Sequence, residues 1–212
     1  MNKSKEQVRE SITSGEWALS REQVIRLLSV IDDARNEVLI RLALDLGIRR
    51  IDIVAIELKN INFKTNELTY YQKKKRKILV RRMETMTATS IKKYLKKRKE
   101  KSVYLFPGVQ KKKNHLADRQ AYNIFHKYLL KAKIISDINE SYPFHSLRAT
   151  CINLKLEAYE AAIEQGRIKI SDIVSVVAKL IDDKPETVRQ HYIGLSSDKK
   201  KRLATEFQAV PV

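Results

Sequence analysis

The chain has 212 residues, and 43% of them are hydrophobic, which suits a folded domain rather than a disordered segment. Its 43 lysines and arginines outnumber 25 acidic residues and give a formal net charge of +18, which is typical of a protein that binds a polyanion. No apolar run approaches the length of a membrane span, about 20 residues. We therefore expect the polyanionic partner to be nucleic acid and not a membrane.

Cys151 is the one cysteine of the sequence, so an internal disulfide and a cysteine-based zinc site are excluded. Its surroundings read as a helix, and we expect a packed, reduced thiol. This agrees with an intracellular protein, cytoplasmic or associated with DNA. No metal site and no cofactor are predicted.

The first part of the chain is predicted to be helical after a polar lead-in segment, residues 1–17. Ser20 and Gln23 form a capping box that opens the first helix. Gly47 follows a second run of helical spacing and is its expected C-cap. The predicted helices are one with Val24, Leu27, Leu28 and Ile31 on its apolar face, one over residues 34–46 and a short one over residues 51–55.

A change to short segments rich in β-branched and aromatic residues then predicts a small antiparallel sheet. Its three strands are expected over residues 61–63, 68–72 and 77–80. The turns between them are Thr65-Asn66-Glu67 and the lysine run that starts at Lys73.

Helical spacing returns after the sheet and continues to the end of the chain. The predicted fold class is therefore mainly α with a small three-stranded antiparallel sheet. No linker rich in Pro, Gly or Ser divides it, so we expect one domain over residues 18–196 and a C-terminal tail over residues 197–212. The predicted helices of this part cover residues 87–101, 119–132, 145–164, 170–180, 185–192 and 198–207.

Five basic runs stand out along the sequence, and they favour one DNA-facing side. A single run of this kind is more often a solvated face, but five of them in a small chain indicate a contact surface. The runs are 73–77, 81–82, 92–101, 111–113 and 199–202. The candidate DNA-binding residues are Lys75, Arg76, Lys77, Lys111, Lys112 and Lys113.

Three separated motifs carry residue types suited to phosphate chemistry. His145 and Arg148 are three residues apart on a predicted helix and therefore share a face. Arg49 follows Gly47 in the turn after the second helix. The third motif, Leu180-Ile181-Asp182-Asp183-Lys184-Pro185-Glu186-Thr187-Val188-Arg189-Gln190-His191-Tyr192, ends in a tyrosine.

The order Arg, Lys, His-x-x-Arg, Tyr resembles the tyrosine recombinase (phage integrase) family over about residues 18–195. In this resemblance Arg49, His145 and Arg148 match the catalytic residues, and Asp52 matches the supporting acid. The family's catalytic lysine, on the hairpin between the second and third strands, falls on Lys73 or Lys74, and the spacing does not choose between them.

The resemblance implies the catalytic-domain architecture of that family and a nucleophilic role for Tyr192. Tyr192 would attack a phosphodiester of double-stranded DNA to form a 3′-phosphotyrosyl intermediate, without metal or ATP. The arginines would hold the phosphate, the hairpin lysine would protonate the leaving 5′-oxygen, and His145 would accept a proton or a hydrogen bond. The resemblance also implies self-association on DNA, as a dimer or a tetrameric synapse.

Two departures from the family pattern leave alternatives open. Asp182 stands where the family has His or Trp, and an ionised carboxylate repels a phosphate. Tyr192 stands one residue late, with His191 at the family's tyrosine position, and its separation from Arg148 is longer than usual.

A site-specific recombinase is the leading hypothesis from these motifs. A type IB topoisomerase-like nicking and closing enzyme uses similar chemistry. A non-catalytic DNA-binding protein on a decayed integrase fold is kept open by Asp182. The tail carries Leu203, Phe207 and Val210, which either dock onto a neighbouring protomer or fold back on their own domain. The family's N-terminal DNA-clamping domain is not recognisable, so the chain is either a minimal enzyme or one piece of a longer protein.

Overall fold

Amphipathic helices around a small sheet make up the computed structural model, which describes residues 17–108 and 114–191. The predicted fold class is confirmed within these residues. The helices are α1 (Arg21–Ser29), α2 (Ala34–Leu46), α3 (Arg50–Ile53), α4 (Thr85–Lys97), α5 (Asp118–Lys131), α6 (Ser146–Glu164), α7 (Ile173–Ile181) and α8 (Pro185–His191). The strands are β1 (Ile61–Asn62), β2 (Glu67–Gln72) and β3 (Lys77–Arg82).

Local capping chemistry fixes the ends of the first two helices. Ser20 Oγ accepts a hydrogen bond from Gln23 N at 3.2 Å, and Gln23 Oε1 accepts one from Ser20 N at 2.8 Å, so the predicted capping box is confirmed. Gly47 ends α2 in the left-handed region at φ +60°, as predicted for a C-cap.

The sheet has the order β1-β2-β3 with antiparallel pairing throughout. Leu68, Tyr70 and Gln72 of β2 face the core, as strand alternation requires. Gln72 pairs with Lys77 at the end of the hairpin. The turn between them holds a short 3-10 segment, and Arg76 lies in the left-handed region at φ +51°.

Two helix boundaries differ from the sequence prediction because of side-chain hydrogen bonds. Helix α7 begins later than expected, since Asp172 caps it by accepting from Ser175 N at 3.0 Å. Helix α4 ends earlier, at Lys97, where Arg98 is extended and its guanidinium donates to the carbonyl of Ser102 at 3.0 Å.

Helix α6 connects two apolar clusters and therefore holds the centre of the fold. Leu147 belongs to the larger cluster, which α2, α4, α5 and the sheet build. Ile152 and Leu156 belong to the smaller cluster, with residues of α7 and α8. The first turn of α6 thus lies where both clusters meet. Trp17 packs edge-to-face on Tyr142, with ring centroids 5.1 Å apart. Within the described residues, none of the helices is both long and apolar enough to cross a membrane.

Candidate active site

Gly47 brings the end of α2 into close contact with α6 and α7. A Cβ atom at this position would lie 3.4 Å from Ile181 Cγ2, 3.5 Å from Cys151 Sγ and 3.6 Å from Arg148 Cγ. The left-handed conformation and the close packing both favour glycine here. The turn that follows Gly47 therefore presents Arg49 beside the first turn of α6.

Arg148 lies at the junction of three helices and is almost fully buried, with 2% of its side chain exposed. Its Nη1 donates to the carbonyl of Gly47 at 2.5 Å, and its Nη2 donates to the carbonyl of Ile181 at 3.0 Å. Both acceptors lie at helix C-termini, where carbonyl groups lack intrahelical partners. The same Nη2 donates to Asp183 Oδ2 at 2.9 Å. The guanidinium thus has a structural role in addition to any role toward a ligand.

Arg49 is held by Gln72, the last residue of strand β2. In the amide orientation that satisfies both partners, Gln72 Oε1 accepts from Arg49 Nη1 at 2.9 Å and Gln72 Nε2 donates to Asp182 Oδ2 at 3.0 Å. Arg49 Nη2 lies 3.8 Å from Asp183 Oδ2, with 15% of the arginine side chain exposed. The two predicted catalytic arginines therefore converge on one carboxylate.

His145 lines the same cleft as both arginines. The cleft has a volume of about 570 Å³ and also borders Arg50 and Phe144. Burial, followed by the positive charges of Arg148 and Arg49, lowers the pKa of His145 to about 4. The imidazole is therefore neutral near pH 7 and is able to accept a hydrogen bond or a proton.

Asp52 anchors the base of the lysine hairpin. Its side chain is buried, and its Oδ1 accepts a hydrogen bond from the backbone N of Lys73 at 3.1 Å. Its Oδ2 is also buried and has no hydrogen-bond partner among the residues that the structure describes. Burial raises the pKa of Asp52 above its ordinary value, against the opposing effects of the Lys73 amide and Arg49. The predicted supporting acid thus positions the hairpin next to the arginine turn.

The hairpin lysines differ in what they contact. Lys75 Nζ lies 3.0 Å from Asp182 Oδ2, and Lys77 Nζ lies 2.5 Å from Asp182 Oδ1. Lys73 and Lys74 have exposed side chains, and the charge of Lys74 adds to the lowering of the His145 pKa. Two of the predicted DNA-binding lysines are therefore engaged by Asp182.

Asp182 points to the hairpin, whereas its neighbour Asp183 points to the arginines. Asp182 ends α7 in the left-handed region at φ +56°. Although partial burial acts to raise the pKa of Asp182, hydrogen bonds from Lys77 and Lys75 outweigh this effect and lower it. The family motif singles out Asp182, and no sequence pattern selects Asp183 as a partner of the arginines. The repeated aspartate at the end of α7 was the available signal, but it does not say which carboxylate meets which cations.

Several predicted residues lie outside the described part of the chain. These are Tyr192, the basic residues Lys111, Lys112 and Lys113, and the tail with Leu203, Phe207 and Val210. Arg76 is described and exposed at the hairpin turn. Among the described residues, no group of three or more His, Cys, Asp or Glu side chains is arranged to hold a metal ion. Cys151 is free and buried, as predicted, and burial raises its pKa to about 12.

Comparison with known proteins identifies the fold that carries this cleft. The family model described as the phage integrase family matches residues 18–158, more than half of the chain. The match includes Arg49, His145 and Arg148 and ends before the third motif. A comparison with curated protein sequences finds no significant match.

Solved structures of recombinases share the fold at low sequence identity. A XerA recombinase is 15% identical with a TM-score of 0.66, over 92% of this chain and 66% of that one. A XerH site-specific recombinase bound to a palindromic difH substrate, in a post-cleavage complex, is 17% identical with a TM-score of 0.67, over 91% and 53%. A lambda integrase dimer bound to a COC′ core site is 16% identical with a TM-score of 0.58, over 83% and 58%. The chain thus spans about half to two thirds of these proteins.

Proposed function

Because the chain belongs to the phage integrase family, we propose that it is a site-specific DNA recombinase that cleaves and rejoins strands through a 3′-phosphotyrosyl intermediate. The observation that carries this proposal is the convergence of Arg49, Arg148 and a neutral His145 on one cleft. Two guanidinium groups beside a proton acceptor are the groups that a phosphodiester transfer needs.

The arginines would stabilise the negative charge that develops on the phosphate oxygens when a nucleophile adds. Guanidinium groups remain protonated at working pH and offer paired donors to phosphate oxygens. Removing one preorganised donor from a site of this kind costs roughly 3–4 kcal/mol of transition-state stabilisation. The carbonyls of Gly47 and Ile181 already hold the Arg148 guanidinium in a fixed orientation at the cleft.

We assign the nucleophile to Tyr192, which follows α8 directly in the sequence. Its phenolic oxygen would bond to phosphorus while the bond from phosphorus to the 5′-oxygen breaks. His145 would take the phenolic proton or hold it by a hydrogen bond, because its lowered pKa leaves it neutral. The phosphotyrosyl bond keeps the energy of the broken linkage, so the reverse attack by a 5′-hydroxyl rejoins DNA without ATP.

We assign the general acid to Lys74 rather than Lys73. Lys75 and Lys77 bind Asp182, whereas the side chains of Lys73 and Lys74 are exposed. The charge of Lys74 reaches His145, which supports a position beside the reacting phosphate. Lys74 would give its proton to the departing 5′-oxygen.

Double-stranded DNA and further copies of the chain are the partners that this function requires. XerH is bound to a difH substrate and lambda integrase is a dimer on a core site. By analogy with these proteins, we propose that the chain assembles as a dimer or a tetramer on DNA during integration or excision of a mobile element.

The test is covalent trapping on nicked suicide duplexes of randomised sequence, in buffer with a metal chelator, followed by denaturing electrophoresis. We expect an adduct with the wild type and none with Tyr192→Phe, while Tyr159→Phe, which removes a hydroxyl elsewhere in the chain, keeps it. An adduct that persists in Tyr192→Phe, or no adduct in the wild type, would overturn the proposal. Relaxation of arbitrary supercoiled plasmid would instead support the topoisomerase-like alternative.

A further inference from the structure

The turn between α7 and α8 carries two adjacent carboxylates that engage the cations assigned above to DNA. Asp183 contacts Arg148 and Arg49. Asp182 contacts Lys75 and Lys77. One acidic dipeptide therefore engages both of the arginines assigned to the phosphate and two hairpin lysines.

The Asp183 carboxylate lies where it competes with a phosphate for the same donors. It accepts from Arg148 Nη2 at 2.9 Å, lies 3.8 Å from Arg49 Nη2, and is only 10% exposed. A carboxylate and a phosphodiester each carry one negative charge, and each can accept two parallel hydrogen bonds from a guanidinium group. Both anions cannot occupy these donors together without strong repulsion at short distance.

The Asp182 carboxylate pairs with the second group of cations, the hairpin lysines Lys75 and Lys77. Besides the ion pairs of its carboxylate, Asp182 accepts a hydrogen bond at its backbone carbonyl from the Lys75 ammonium at 2.6 Å. Asp182 adopts a left-handed conformation at which glycine is the usual residue and Asp and Asn are the tolerated side chains. The backbone of this turn thus directs consecutive carboxylates to two different groups of cations.

We propose that Asp182 and Asp183 form a built-in phosphate mimic, which duplex DNA must displace before the arginines and the hairpin reach its backbone. This inference rests on the proposed function, since it takes those cations to be the DNA contacts. The displaced turn leads through α8 to Tyr192, nine residues after Asp183.

The first test compares the affinities of two variants with equal charge change for a fluorescent duplex of arbitrary sequence near 0.15 M salt. Asp182→Asn/Asp183→Asn removes the mimic while keeping side-chain shape. Glu160→Gln/Glu164→Gln removes two charges from the far half of α6, about 18 and 24 Å along the helix from Arg148. That is more than twice the Debye length of about 8 Å at this salt.

We expect the Asp182→Asn/Asp183→Asn protein to bind at least about tenfold more tightly than wild type, and the glutamate control to change by less than about threefold. Equal gains in both variants, or weaker binding by the aspartate variant, would overturn the inference. Each single variant is measured as well, so the comparison stands if the double variant fails to fold.

A second measurement separates displacement from simple repulsion. The amide of Asp183 donates to the Ala178 carbonyl at 2.8 Å in the closed turn. If DNA displaces the dipeptide, hydrogen exchange of the turn amides should quicken when duplex DNA is added to the wild type. Slower or unchanged exchange would refute displacement. Failure of covalent trapping with a clear affinity gain would contradict the enzymatic proposal alone, whereas normal trapping without the gain would contradict the mimic alone.

Discussion

Replacing Arg148 with alanine should lower the free energy of unfolding of this domain by more than replacing Arg49 with alanine does. The two variants differ in this way although both arginines are assigned to the same phosphate. Arg148 is 2% exposed and satisfies the carbonyls of Gly47 and Ile181 together with Asp183. Removing one partner of a buried ion pair leaves an uncompensated charge and costs about 3–5 kcal/mol. The free energy of unfolding of a typical domain is only about 5–15 kcal/mol, so this cost is a large part of it.

Arg49→Ala is the matched comparison because its ion pair is longer and more exposed. Its Nη2 lies 3.8 Å from Asp183, and its main loss is the hydrogen bond to the buried Gln72 amide. An unsatisfied buried amide costs about 1–3 kcal/mol, and we expect a value at the low end since Arg49 is partly open to water.

The assay is urea unfolding followed by far-UV circular dichroism and by the fluorescence of Trp17, the one tryptophan of the sequence. Arg148→Ala/Asp183→Asn should recover at least about 1 kcal/mol relative to the sum of the two single changes, because the stranded carboxylate is removed. A loss below about 1 kcal/mol in Arg148→Ala, or equal losses in Arg148→Ala and Arg49→Ala, would refute the assignment of Arg148 as a structural bridge.

Three further predictions concern the surroundings of the cleft. The folded-state pKa of His145, about 4, lies below its unfolded value of about 6.5, so the unfolded chain binds the extra proton between these values. Stability should therefore fall as pH is lowered through this window, by up to about 3 kcal/mol, and urea titrations of His145→Gln should show a smaller fall. Gly47→Ala should cost about 1–2 kcal/mol in the same unfolding assay, because φ is +60°, and an unchanged midpoint would contradict this. The Cys151 thiol, with a pKa near 12, should react about a thousandfold more slowly with an aromatic disulfide reagent in the folded protein than in urea, and equal rates would show that it is accessible.

Much of the fold was predictable because its signals are local. The capping box at Ser20 and the left-handed glycine at Gly47 depend on neighbours within a few residues, and the helical spacing of apolar residues reports the buried face of each helix. The boundaries of α4 and α7 were less accurate, since Arg98 and Asp172 set them by hydrogen bonds that compete with the apolar pattern.

Arg49, His145 and Arg148 were singled out from their residue types and order, and the structure brings all three to one cleft. The family match over residues 18–158 includes these positions and ends before the third motif. The motif placed Asp182 at the family's His or Trp position without saying what its carboxylate contacts; in the structure that carboxylate meets the hairpin lysines, and Asp183 meets the arginines. The choice between adjacent aspartates depends on the backbone dihedrals of one residue, which no spacing rule reports.

The sequence by itself determined the helices, the hairpin and the presence of separated cationic motifs, since these follow from short-range propensity and patterning. Only the tertiary structure decided that Arg148 connects the ends of α2 and α7. Likewise, only the tertiary structure decided that two aspartates form ion pairs with the cations expected to bind DNA. The physical reason is that ion pairing depends on distances of a few ångströms between residues far apart in the chain. Those distances are set when α6, α7 and the sheet pack together.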